Sequence, residues 1–548
     1  MKINKYILLF VPLLITACDF LDFDESIGRS KEYYYTYFAE TEKLVSHVYS
    51  FLPTEYDAID GALRESATDN ATYVWKNSNV QKFVNGSWSP IITVDDRWSK
   101  YYDGIRAANS FLENFNIANY DRFKYNTDYD TSIKRVQYYP YEVRFLRAFF
   151  YFELIKRYGA VPLLTRTYEI NEINDVEQAS FEDVVEFIVS ECDTVFQYLP
   201  LSYTSIPQAE TGRITKGACY ALKSRVLLYA ASELHNPGNV DPAKWEKAAL
   251  AAKDLIDMNQ YQFDASSFDM WSNANASLAS KQLILEARDG SNSNSFESRN
   301  FPIGVEGGNT GNCPSQNLVD AFEMKDGSDF DWNNPVHAAN PYSNRDPRLD
   351  KTVFYNGSTF TGTNKIETFN GGKNAQPING ATPTGYYLTI TLAPTNPVRK
   401  PHNWILFRYA EILLNYAEAL NEWRGPDYKD ATFTLSAKEA VNLVRSQATM
   451  PGFTETDKIA FRERLRNERR VELAFEDHRF WDLRRWKIAS NPTVIYGVNI
   501  TKDPVSSAFT YTRTTVESRV WHDKMYFFPI SQSERFKNTN LNQNTGWE

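Results

Sequence analysis

Tyr409-Ala-Glu-Ile-Leu-Leu-Asn-Tyr-Ala-Glu-Ala419 is the stretch on which the fold turns. Its apolar residues recur at helical spacing, and the pattern predicts a helix from His402 to Glu422. Small Ala residues let a partner helix come close, while Tyr and Leu fill the remaining space. The same mixture returns in Phe149…Tyr158 and Ala218…Tyr229. Working outward, helical periodicity also covers Lys31–Leu52, Asp95–Phe115, Pro140–Tyr158, Ser180–Leu199, Thr215–Leu234, Asp241–Met258 and Ser436–Ala448. Pro53, Gly159 and Pro200 supply stops. Ser180, with Asp183 three residues on, is a capping-box variant, and Asp241-Pro242 reads as a cap followed by the first helical position. Two further helices are expected at Asp457–Phe475 and Arg479–Ile488. The first eight group as four consecutive helix–turn–helix pairs, which predicts a mainly α protein.

These pairs resemble tetratricopeptide packing, although insertions break the 34-residue period of such arrays. Between Asn259 and Pro401 the composition shifts to Asn, Gly, Ser, Thr and Pro, with short apolar runs such as Leu283-Ile284-Leu285 and Tyr386 to Leu392. Loops and short strands are expected there. The interleaved Phe296, Phe301, Phe322, Trp332, Tyr342 and Phe354 argue against disorder. The expected plan is a helical scaffold at 31–258 and 402–490, a loop-rich lobe at about 259–401, and a C-terminal extension at 491–548. Trp75 to Pro90 is a smaller insertion of the lobe's type.

The N-terminus has its own signature. Met1-Lys2 and Lys5 precede the apolar run Tyr6 to Leu14, and Ile15-Thr16-Ala17 lead to Cys18. This order is that of a secretory signal, and the run is too short to span a bilayer. A cysteine after small residues resembles the bacterial lipobox, which implies a signal peptide at 1–17 and a lipid on Cys18. Two or more acyl chains hold a protein firmly on a membrane. Residues 18–30 form an acidic tether, with Asp19, Asp22, Asp24 and Glu25, and resemble the surface-export signals of Bacteroidetes lipoproteins.

Several chemistries lack their residues. A net charge of −10 over 548 residues argues against a nucleic-acid footprint, which should be basic. Thr211 to Gly217 lacks the spacing of a nucleotide loop, and the six histidines form no HExxH pair. Asp326, Asp329 and Asp331 do not match an EF-hand loop. Cys192 and Cys219 fall in helical patterns as small buried thiols, with a bridge between them as the alternative, and Cys313 lies in a Gly/Asn-rich loop. Glu468, Glu472, Glu476, Asp477 and Asp482 could suggest a glycosidase. But Arg469, Arg470, Arg479, Arg484 and Arg485 are interleaved with them, and arginine pairing lowers a carboxylate pKa. The expectation is an ion-pair network clamping the C-terminal helices.

Several motifs then coincide in order. They include Arg97-Trp98…Tyr101…Ile105…Asn109, Glu142-Val-Arg144…Arg147…Tyr151 running on to Tyr158-Gly159-Ala-Val161-Pro162, and Ile214-Thr-Lys-Gly217-Ala218. Arg345-Asp-Pro-Arg348-Leu349, Arg408-Tyr409 to Ala419, Asn467-Glu-Arg-Arg470 to Glu476, Arg479-Phe-Trp481 to Trp486 and Phe528-Pro-Ile530…Asn544 follow. Together, behind a lipobox, they resemble the SusD/RagB family of Bacteroidetes outer-membrane lipoproteins. The resemblance implies tetratricopeptide-like pairs carrying a loop-borne ligand site, a SusC-like TonB-dependent transporter as partner, and capture of polysaccharide or oligosaccharide at the cell surface. It implies neither catalysis nor a cofactor. A peptide or glycopeptide ligand is the alternative within the same family, and a surface glycosidase the reading from another class.

Sugar binding has a physical signature of its own. A pyranose presents a patch of C–H groups to an aromatic face, while its hydroxyls need amide, carboxylate or guanidinium partners. Aromatics in polar insertions meet this need. The candidates are Asp69, Tyr73, Trp75, Asn77 and Trp88 in the first insertion, and Phe296, Arg299, Trp332 and Tyr342 in the second. Trp98, Trp271, Trp404, Trp481 and Trp486 are assigned to the core.

Overall fold

The computed structural model describes residues 30–203, 212–264, 270, 280–288, 295–390, 392 and 403–548. The signal peptide, Cys18, the acidic tether up to residue 29 and Trp271 lie outside the described residues.

Eight helices build the scaffold: α1 (Phe38–Tyr49), α2 (Trp98–Asn114), α3 (Tyr139–Tyr158), α4 (Phe181–Phe196), α5 (Lys216–Ala231), α6 (Ala243–Asp257), α7 (Tyr409–Arg424) and α8 (Ala437–Gln447). Each packs on the next, so the four pairs form one continuous stack. The centre of the stack is α3, where only Pro140, Tyr141 and Arg144 escape burial. Its charged side chains are met inside the protein, Glu153 by Lys156 at 2.6 Å and by Arg157 at 2.7 Å, so the whole helix can be enclosed. Helix α2 comes close to α3 because Gly104 has no side chain: a Cβ there would lie 2.8 Å from the Phe150 ring. On α7, Ala410, Ala417 and Ala419 have no exposed surface, as the close-approach argument requires.

The local start signals hold. Ser180 accepts from Asp183 N–H at 3.1 Å, and Asp183 accepts from Ser180 N–H at 3.2 Å. Ser436 and Glu439 make the same reciprocal cap on α8. Asp241 accepts from Ala243 N–H at 3.1 Å, one position later than the sequence suggests.

Two expectations need correction. The segment before Tyr409 is not helical: Trp404–Arg408 is strand β4, paired antiparallel with β2 (Leu283–Ala287). Its run Trp-Ile-Leu-Phe is buried throughout, and a short apolar run does not distinguish a buried strand from a buried helix. The first helix breaks after Tyr34 and restarts at Phe38, where Thr41 Oγ1 donates to Tyr34 O at 2.8 Å. The C-terminal extension carries the longest strand pair of the described residues, β5 (Val494–Lys502) with β6 (Phe509–Ser518).

Two pairings organise the lobe. Strand β1 (Ala71–Tyr73) runs antiparallel to β3 (Asn312–Pro314), with Ala71 opposite Pro314 and Tyr73 opposite Asn312. This stitches the first insertion to the large lobe. The β5–β6 hairpin docks on the lobe through Val498 N–H to Thr384 O at 2.9 Å and Tyr496 N–H to Asn317 Oδ1 at 2.8 Å. Cys192, Cys219 and Cys313 are buried free thiols, and Cys313 sits on β3 rather than in a loop.

The ion-pair network is present and buried. It centres on α9 (Lys458–Glu472) and α10 (Arg479–Arg485). Glu468 accepts from Arg348 at 2.6 Å and from Arg445 at 2.7 Å. Arg408 holds Glu476 at 2.7 Å and Glu472 at 2.8 Å. Asp482 joins Arg469 to Arg485, and Glu418 holds Arg485 from α7. Burial works against ionisation of Glu418, yet the Arg485 charge outweighs it and holds the carboxyl down at about 2. Such pairs add little net stability over apolar packing, but removing one partner is costly because the other is left buried and bare.

Candidate functional site

Four of the nine candidate residues are buried. Trp88 is 2 % exposed, enclosed by Phe83, Phe528 and Trp547 with ring centroids 4.7–5.2 Å away. Asp69 accepts from Arg479 Nε and Nη2 at 2.9 Å and pairs with Arg470 at 3.0 Å. Burial alone would raise its pKa, but these two arginines hold it well below the ordinary carboxylate range. Phe296 meets Tyr56 edge-on at 4.8 Å, and Tyr73 is buried. The expected open face is therefore corrected for Trp88, Tyr73 and Phe296, and Asp69 belongs to the clamp. A polar sequence neighbourhood did not keep these side chains in water, because the insertions themselves fold onto the scaffold.

Three candidates come together at the surface of the β1–β3 junction. Trp75 is half-buried, and its Nε1 donates to Asn309 O at 3.0 Å. Gly380, at φ +80°, leaves room for the indole, since a Cβ there would lie 3.1 Å from the ring. Asn309 in turn donates to Ser298 O at 3.1 Å, beside half-buried Arg299. The Arg299 stem and the Tyr73 hydroxyl both back onto Gly61, within 3.2 Å of where a Cβ would stand. Asn77 is exposed two residues beyond Trp75. One aromatic ring and one guanidinium thus lie at the same junction, drawn from two insertions far apart in sequence, with an exposed amide two residues along from the ring.

Trp332 and Tyr342 lie in a second cluster. Trp332 Nε1 donates to Asp320 at 3.0 Å. Tyr342 stacks on Tyr355 at 4.2 Å and meets Tyr511 edge-on at 5.6 Å. Tyr355 donates to Asp350 at 2.6 Å, and Arg513 lies 3.7 Å over Tyr496 and 3.6 Å from Asp320. Trp332, Tyr342, Tyr355, Tyr496 and Tyr511 are all half-buried. Sequence reasoning passed over Tyr355, Tyr496, Tyr511 and Arg513. The signal was available in Phe509-Thr-Tyr511-Thr-Arg513-Thr, whose period of two puts ring, ring and guanidinium on one strand face.

Other features bear on the chemistry. Glu476 is pushed up to about 7 by burial, against the pull of Arg408, which is a value suited to a general acid. But it lines an internal cavity of about 20 Å³, far below the volume of a sugar ring. A larger cavity of about 500 Å³ opens between α2, the 162–174 loop and residues 534–541, and holds none of the nine candidates. Among the described residues, no cluster of three His, Cys, Asp or Glu is placed to hold a metal, and no helix is long and apolar enough to cross a membrane. Asp326 instead caps its own turn, accepting from Ser328 N–H at 3.0 Å and Oγ–H at 2.6 Å.

Comparison with known proteins decides the lineage of this arrangement. The SusD family matches residues 281–547, and a family described as starch-binding associating with outer membrane matches residues 19–228. The chain belongs to the SusD family. A SusD-like protein of Bacteroides fragilis NCTC 9343 has the same fold, with a TM-score of 0.78 at 28% identity, over 95% of this chain and 99% of that one. A second structure from that organism, titled a SusD-like carbohydrate binding protein, gives 0.75 at 25% identity over 93% and 100%. SusD-like protein P2 of Formosa agariphila is 23% identical over 99% of each chain. In this SusD-family member, the first match ends within α5 and the second starts just before β2, taking in the lobe together with α7 to α10.

Proposed function

We propose that this protein is a glycan-capture lipoprotein of the outer membrane, without catalytic activity. It is held at the cell surface through Cys18 and passes oligosaccharide to a SusC-like TonB-dependent transporter. The observation that carries the reading is the half-exposed Trp75 ring at the junction where the two insertions are stitched together, with Asn77 two residues on and Arg299 at the same junction. A pyranose stacked on the indole would bring its equatorial hydroxyls within reach of the amide and the guanidinium. Trp332 and the Tyr342–Tyr355 stack supply a second aromatic surface for a longer chain. The family description and the carbohydrate-binding relative support a sugar over a peptide. The internal carboxylates are committed to arginines or enclosed, which supports binding without hydrolysis.

The test is a glycan and peptide array followed by affinity gel electrophoresis on the best polysaccharide. Trp75→Ala and Trp332→Ala together should release the protein from the gel while its far-UV spectrum is kept. Retention of the double variant would remove this surface as the site, and a peptide-only signal would replace the ligand. Release of reducing sugar from the polysaccharide would contradict the non-catalytic reading.

A further inference from the structure

Arg484 differs from the other arginines of α9 and α10. Arg469, Arg470, Arg479 and Arg485 each reach a carboxylate. Among the described residues Arg484 has none within 4 Å, although it is only 5 % exposed. Its Nη1 donates to Phe480 O at 3.0 Å, one turn back on its own helix, and its Nε has no protein acceptor. Its guanidinium lies 3.4 Å over the Phe480 ring and 5.2 Å from that of Trp521. Burial and the neighbouring Arg64 push its pKa down to about 9, the mark of a cation lacking a counter-charge.

Two more unsatisfied donors are close by. Trp88 Nε1 and Trp521 Nε1 are both buried and without a protein acceptor. An indole N–H can only donate. Trp88, Trp521 and Arg484 line the same cavity of about 30 Å³, enclosed by the first insertion, α10 and residues 519–525. Asp69 also lines it, but its charge is already met by Arg470 and Arg479. The cavity is small but has room for a monatomic ion or for water. Buried donors left bare are costly, and a bare buried cation costs more. A water would accept from two of these donors and still need acceptors for its own hydrogens. A monatomic anion only accepts, and it also meets the charge of Arg484.

We propose that this cavity is a halide site, chloride in ordinary salt, bound by the Arg484 guanidinium and the indole N–H groups of Trp88 and Trp521. The ion would fasten three segments that are distant in sequence. Its neighbour Arg519 donates to Ala71 O at 2.7 Å, so the site sits directly beneath β1. The inference does not rest on the glycan reading.

Crystals of the mature protein grown in sodium bromide test it directly. An anomalous bromine peak within hydrogen-bond reach of both indoles and Arg484 is expected. Density there without anomalous signal, a water only, overturns the proposal. In solution, the melting temperature should be higher in sodium chloride than in sodium gluconate at equal ionic strength, and should rise with halide concentration. Equal melting in both salts overturns it. Trp521→Phe keeps the ring and removes one donor, and should shift the halide dependence to several-fold higher concentration. Arg484→Met should abolish that dependence. Should Arg484→Met fail to fold, Trp521→Phe decides alone, and an unchanged halide dependence in that variant overturns the site.

Discussion

Trp88 and Trp75 belong to one insertion, yet their surroundings differ in every respect. Trp88 is 2 % exposed and closed in by rings from the far C-terminus, Phe528 and Trp547. Trp75 is half-buried, pinned at its nitrogen by Asn309 and backed by a glycine. The contrast extends to the charges. In the clamp of α9 and α10, Glu468 and Asp482 are each held by two arginines away from water. On the first insertion and on β6, Asn77 and Arg513 are exposed to solvent. The same residue types thus give rigidity in one region and a receptive surface in the other, and what separates them is whether a distant segment closes over them.

The largest effect that sharpens this contrast is Trp88→Ala. Emptying so enclosed a site should cost about 3–5 kcal/mol in chemical denaturation, with glycan affinity of the folded fraction unchanged. A loss of affinity without loss of stability would reverse the two roles. Next comes pH. Burial raises Glu476 from 4.5 to about 7, so the folded state holds that proton more tightly than the unfolded state. Its contribution to stability is complete below about pH 4.5 and is lost as pH rises through 7. Glu418 and Glu153 run the other way: arginine and lysine partners hold both at about 2, and their contribution is lost as pH falls from about 4.5 through 2. Glu476→Gln should therefore flatten the decline between pH 4.5 and 7, by roughly 1–2 kcal/mol, leaving the acid limb in place. Denaturation series across pH read this directly.

Trp75→Ala should weaken glycan binding roughly tenfold, about 1.4 kcal/mol, and cost less stability than Trp88→Ala. Isothermal titration with the array's best oligosaccharide measures the first part. The smallest effect belongs to the exposed Lys429–Glu439 pair at 2.8 Å. Lys429→Ala should change stability by less than about 1 kcal/mol, in contrast to any member of the buried clamp.

What could be read from the sequence followed the range of the interactions. The Ser180–Asp183 cap lies within a single turn and was legible, as were the Ala-rich contacts of α7, because a helix carries its own periodicity. The run Trp404 to Phe407 was misread because β4 becomes a strand only through its partner β2, more than a hundred residues earlier. Trp88 was misassigned for the same reason on a longer scale, since residues near 528 and 547 close over it. Arg484 was expected to share the clamp's carboxylates. Nothing local in Arg-Phe-Trp-Asp-Leu-Arg-Arg tells that Asp482 turns to Arg469 and Arg485 instead. The aromatic face of β6 was passed over, although its alternation alone carries the signal.

The three-residue ladder between β1 and β3 has a developmental meaning. Residue 72 meets its partner only when residue 313 has been made and folded. A half-finished polypeptide therefore lacks the surface proposed for a ligand, which exists only in the completed molecule. Evolution is bound by the same stitch: reshaping that surface requires both excursions of the chain to change in step.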